Sequence, residues 1–254
     1  MFPKEHGAYG QLIFPLVAAL AIGHPSLAAV AFALSAVAVF LAHEPLLVLL
    51  GQRGLRAERD LSAQAWRWFG GAASAAVLLG AYAAWAMPHL ARLTLAGPLV
   101  LGLAVAVVVA LHHEHTTEGE IVTSIAFASL AVPTAVASGV PLRAASTCAL
   151  VFAVCFVSAT VCVRAVILWA KKQGGVGMRA GSAGIVVALV AWLIYSGLRG
   201  DLVLAGVWAT LPVCGVAVAL AAAPPSPKHL KKVGWTLVGA TLLTTALVIA
   251  LLGA

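Results

Sequence analysis

The chain has 254 residues, 63% of them hydrophobic and 9% charged, with a formal net charge of +7 and a mean hydropathy of +1.06. A soluble domain needs a polar surface, so this composition excludes one and points to helices that cross a bilayer. The positive charge is read as membrane topology and membrane-surface contact; nucleic-acid binding is not expected.

In chain order, apolar runs predict an all-α, polytopic membrane helix bundle of about nine transmembrane helices. They lie near 9–23, 26–50, 69–87, 94–112, 120–138, 144–169, 181–198, 202–222 and 233–253. The first is short, and the two longest must tilt or protrude. No cleavable signal peptide is expected, since Lys4 is the one basic residue before Gly10 and no small-residue cleavage site follows the apolar run. No long linker or internal repeat interrupts the runs, so residues 1–254 are expected to form a single integral membrane domain.

The connections set the orientation. Arg53, Arg56, Arg59 and Arg67, then Lys171, Lys172 and Arg179, then Lys228, Lys231 and Lys232 fall in alternate loops together with Lys4. The other side carries Arg92, Arg143 and Arg199. The positive-inside rule then expects a multi-pass protein of the cell inner (plasma) membrane, with its N-terminus cytoplasmic and its C-terminus outside. The largest cytoplasmic connection is expected over 51–68, where Trp66 and Trp68 beside Arg67 read as an interfacial anchor. The cysteines form no C-x-x-C pair. Cys148, Cys155 and Cys162 recur every seven residues, as a packing stripe would.

Ionisable residues in a membrane survive mostly where they pair, line a wet cavity or work. Here they gather at the cytoplasmic ends of the runs. Glu5 and His6 precede the first run; Glu5 also suits a helix N-terminus. His43-Glu44-Pro45 closes the second, and an imidazole beside a carboxylate offers acid–base chemistry or metal coordination. Adjacent helical residues point about 100° apart, however, so both reach one ion only with backbone distortion. The segment 112–120 supplies His112, His113, Glu114, His115, Glu118 and Glu120. This is a candidate metal set without a fixed ligand motif, or else a solvated acidic loop facing the arginines. Arg164 in the sixth run either snorkels to the interface or joins Arg53, Arg56, Arg59 and Asp60 as a binding site for an anionic head group.

The stretches Pro3-Lys4-Glu5-His6-Gly7-Ala8-Tyr9 and His43-Glu44-Pro45-Leu46-Leu47 through Gly51-Gln52-Arg53-Gly54 resemble the YwiC-like membrane protein family, which implies no assigned activity. The chain is more distantly similar to the UbiA superfamily of intramembrane prenyltransferases. That resemblance implies nine helices, a cytoplasm-facing site and an isoprenoid or other lipid as ligand, with surrounding membrane lipids as neighbours. UbiA enzymes hold magnesium on two aspartate-rich motifs. Here only Asp60 and Asp201 exist, and Arg164, Lys171 and Lys172 occupy the second motif's place. The expectation is a transferase or lyase that works without those motifs, from a His/Glu/Arg pocket between the second, fourth and sixth runs. Its cofactor is unknown, a divalent metal being one option. In that reading His43, Glu44, Glu5 and His6 carry the catalysis, while Arg53, Arg56, Arg59, Asp60 and Arg164 bind the head. The alternative is a non-enzymatic metal- or haem-binding protein or transporter that uses His6, His43, His112, His113 and His115, with His112, His113, His115, Glu118 and Glu120 as the candidate metal ligands.

Overall fold

The computed structural model describes residues 6–113 and 116–253. Described helices are α1 (His6–Ala21), α2 (Leu27–Leu49), α3 (Leu55–Ala86), α4 (His89–Thr94), α5 (Ala96–Ala110), α6 (Thr117–Ser129), α7 (Ala131–Ala137), α8 (Leu142–Ala170), α9 (Val176–Arg199), α10 (Leu204–Val207), α11 (Leu211–Ala222) and α12 (Leu230–Leu252). Short 3₁₀ turns at Trp208–Thr210 and Pro227–His229 complete the order. Among the described residues there is no strand. Among the described residues, eight spans are long and apolar enough to cross a membrane, α4–α5, α6–α7 and α10–α11 each counting as one. The ninth expected span is α1. Its 16 residues reach about 24 Å, short of a hydrocarbon core of about 30 Å.

The central helix is α8, which packs against α6, α7, α9 and α11. It buries Cys148, Val151, Phe152 and Cys155 completely. The cysteine stripe is thus inside the bundle, and the four cysteines are free thiols. Outward faces are apolar: Leu99, Leu103, Val77 and Trp85 are all exposed, as a lipid-facing surface requires.

Two of the broken spans have the same cause. Pro98 has no N–H to give the carbonyl of Thr94, and Pro133 has none for Ser129. At each break a leucine, Leu95 or Leu130, turns its N–H to the carbonyl three residues back. Pro45 produces no such break, and α2 runs through it.

The stretch 51–68 differs from expectation. It is helical from Leu55 onward, so α3 has 32 residues and extends about 18 Å beyond a membrane core. Its polar turns are rich in Arg, Glu, Gln, Leu and Ala, which are strong helix formers, yet they form no apolar run for a hydropathy window to detect. Gly54 precedes this helix with φ +92°.

At the end of the bundle away from the basic loops, the α1–α2 connection is tied to the end of α7. The His24 N–H bonds the Ser138 carbonyl at 2.9 Å, and Ser26 Oγ bonds the Ala137 carbonyl at 2.8 Å. Gly23 allows this approach, because a Cβ there would stand 2.6 Å from both Ser138 O and Val140 Cγ2. Gly23→Ala should therefore lower thermal stability in detergent, by about 1–3 kcal/mol. Gly239→Ala, in open space on α12, should leave stability unchanged or raise it by about 0.5–1 kcal/mol. Equal melting temperatures for the two variants would contradict this packing.

Candidate functional site

Helices α2 and α3 form the most extensive helix pair in the bundle, held close in part by Ser35 Oγ donating to the Ala76 carbonyl at 2.8 Å. Gly80 faces the same serine, where a Cβ would come within 3.0 Å of Oγ. α5 packs instead against α6 and α4 and contributes no buried residue. Between these two pairs lies a cavity of about 1180 Å³, walled by α1, α2, α3, α5 and α6. Along α2 it runs from Phe32 to Glu44, about 18 Å.

The cavity is asymmetric. Its far end and sides are apolar, with Leu95, Pro98 and Leu130 at the two proline breaks and Gly102 on α5. Val39, Leu99 and Leu103 line it and are also more than half exposed, so the cavity is open sideways towards the lipid-facing surface. An aromatic contact joins three walls. Phe40 on α2 meets the edge of Tyr9 on α1, with centroids 5.0 Å apart, and of Phe127 on α6, at 5.8 Å.

Apart from Ser35, whose hydroxyl is taken by the Ala76 carbonyl, polarity is concentrated at the end near the basic loops, where His43, Glu44, Arg53 and Glu120 line the cavity. Arg53 grips Glu44 with a planar fork: Nε donates to Oε1 at 3.0 Å and Nη2 to Oε2 at 2.7 Å. The Glu44 side chain is only 12% exposed while that of Arg53 is 34% exposed, so the carboxylate is shielded and the guanidinium is partly open; a bidentate fork is the strongest geometry open to them. It also holds the loop after α2 against that helix. Arg164 Nη1 stands 4.0 Å from Glu120 Oε1. Thr160, one turn earlier on α8, lines the cavity. Gln11 and Thr123 add further polar lining.

The placement of Glu120 depends on a compact turn. α5 ends with His112 in the left-handed region at φ +57°, its N–H bonding Val109 O while that of His113 bonds Val108 O. Thr116 then caps α6, its Oγ1 accepting from the Gly119 N–H at 3.1 Å. A Cβ on Gly119 would collide with the His113 carbonyl, so only glycine lets the first turn of α6 sit this close.

The other sequence candidates are dispersed. Arg56 is almost fully exposed on the protruding part of α3 and pairs with Asp60 at 3.7 Å; Arg59 is exposed beside them. His112, His113 and Glu118 are exposed in or next to the α5–α6 connection. Glu5, Glu114 and His115 lie outside the described residues, and His6 begins α1. Among the described residues, no three His, Cys, Asp or Glu side chains stand close enough together to hold a metal ion. Gln11, Thr123, Thr160 and the Tyr9–Phe40–Phe127 contact were not legible in the sequence. The one available signal was isolated polar residues inside otherwise apolar runs.

The model of the YwiC-like protein family matches residues 2–136, more than half of the chain. The chain belongs to the YwiC-like family. Among the described residues, the YwiC-like segment contains all those lining the cavity except Thr160. Together with the eight apolar spans, it makes this chain an integral, multi-pass membrane protein. Neither the curated proteins nor the solved structures give a match.

The fork between Glu44 and Arg53 generates a direct prediction. A double-mutant cycle of Glu44→Gln and Arg53→Gln, read as thermal stability in detergent, should give a coupling of about 1–3 kcal/mol. Additive effects would mean that the pair does not hold the loop.

Proposed function

We propose that this YwiC-like protein binds and acts on an isoprenoid or other long-chain lipid at the cytoplasmic face of the plasma membrane. The observation carrying this reading is the cavity itself, apolar for most of its length, open towards lipid and polar at one end. Ligand sites are commonly concave, mostly apolar and fitted with a few convergent polar groups. The lipid tail would lie between α2, α3 and α5, entering from the bilayer between α3 and α5. The head would reach His43, Glu44, Arg53 and Glu120.

The reaction class proposed is that of a transferase or lyase, for which the distant UbiA resemblance supplies the warrant. His43 is the group suited to proton transfer at the head, since an imidazole can give or take a proton near neutral pH. Arg56 and Arg59, on the exposed turns of α3, are suited to the anionic lipid surface. The positive-inside pattern supports a cytoplasmic location for these turns and for the polar end of the cavity, with the C-terminus outside. A resident metal finds no three-ligand cluster to hold it among the described residues, and the proposal does not depend on one.

Native mass spectrometry of gently purified protein tests the reading. A retained lipid near one per chain is expected. Gly102→Trp should expel it while the fold persists, because Gly102 lines the cavity and nothing crowds a Cβ there. A wild-type protein free of lipid, or stoichiometric metal lost on His43→Ala or His113→Ala, would overturn the proposal.

A further inference from the structure

Resting on the lipid reading above, we infer that the head group taken at the polar end is uncharged: a hydroxyl or carbonyl on a long apolar chain, not a phosphate or diphosphate. Among the described residues, the arginines at that end already face carboxylates. Glu44 and Glu120 line the cavity with a single arginine, Arg53, whose fork is occupied by Glu44 at 3.0 and 2.7 Å. Arg164, the next guanidinium, faces Glu120 at 4.0 Å. Among the described residues, both arginines at this end thus stand against a carboxylate. A diphosphate would have to displace Glu44 from Arg53 and then share the cavity with two carboxylates. Like charges brought together in this way reject a ligand more effectively than added contacts attract one.

What the polar end does offer is neutral hydrogen bonding. Among the described residues, the side chains of Gln11, His43, Thr123 and Thr160 line the cavity and form no hydrogen bond with the protein. These are an amide, an imidazole and two hydroxyls, each able to donate and accept. Unsatisfied polar groups are costly at membrane depth, and a hydroxyl or carbonyl head would satisfy several at once. The apolar stretch from Phe32 towards His43 then accommodates the chain.

The test uses two probes with one tail, geranylgeraniol and geranylgeranyl diphosphate, titrated into the full-length protein in detergent with and without magnesium. The readout is the shift in melting temperature with ligand concentration. The alcohol should bind at least about tenfold more tightly in both conditions. A Glu44→Gln, Glu120→Gln variant should narrow that gap by gaining affinity for the diphosphate. Equal or tighter binding of the diphosphate by the wild-type protein overturns this inference and leaves the lipid reading standing. If neither probe raises the melting temperature, the lipid reading itself falls.

Discussion

Hydrocarbon offers a backbone no hydrogen-bonding partner, so a membrane helix can be broken only where protein or a cavity takes up the freed groups. This chain breaks two neighbouring spans, at Leu95 by way of Pro98 and at Leu130 by way of Pro133. Both leucines line the same cavity. On the far side of these breaks α4 packs against α7; on the near side α5 follows α6, while α2 and α3 hold to one another. The space left between the two pairs is the cavity.

The same constraint governs the charged end. A carboxylate as shielded as Glu44 persists because Arg53 meets both of its oxygens, and breaking such a pair leaves an uncompensated charge behind. The pair therefore does two things: it fastens the loop between α2 and α3, and it uses up the one arginine lining the cavity. What remains for a ligand is a set of neutral donors and acceptors beside balanced charges. That combination favours discrimination by hydrogen bonding, not by net charge.

Much of the architecture was legible from hydropathy alone. The second, fifth, sixth and eighth apolar runs match α2, the α6–α7 span, α8 and the α10–α11 span to within a few residues. The start of α3 was not legible, because helix propensity without apolar periodicity leaves no trace in a hydropathy window. Sequence also singled out His43, Glu44 and Arg53, and these three are neighbours because they are close in the chain and Pro45 does not interrupt α2. Glu120 was grouped with the histidines around it. Its neighbours in space are instead Arg164 and the cavity, since the turn at His112 and Thr116 sends α6 back along α5. The loss of Arg56 and Arg59 from the cluster has the same origin as the missed helix. Once α3 begins at Leu55, each turn carries them away from Arg53. Thr123 and Thr160 could not be ranked, as a lone threonine in an apolar run is also satisfied by its own helix.

In the proposed function, the cavity between α2, α3 and α5 is an occupied lipid site. A cryo-EM map of the protein in nanodiscs made from its own membrane lipids tests this most directly. An occupied site will show elongated density filling the space from Leu95 to Phe40, with its polar end in reach of His43 and Glu120. A map in which α5 has closed against α3, with side chains filling the space, would contradict it.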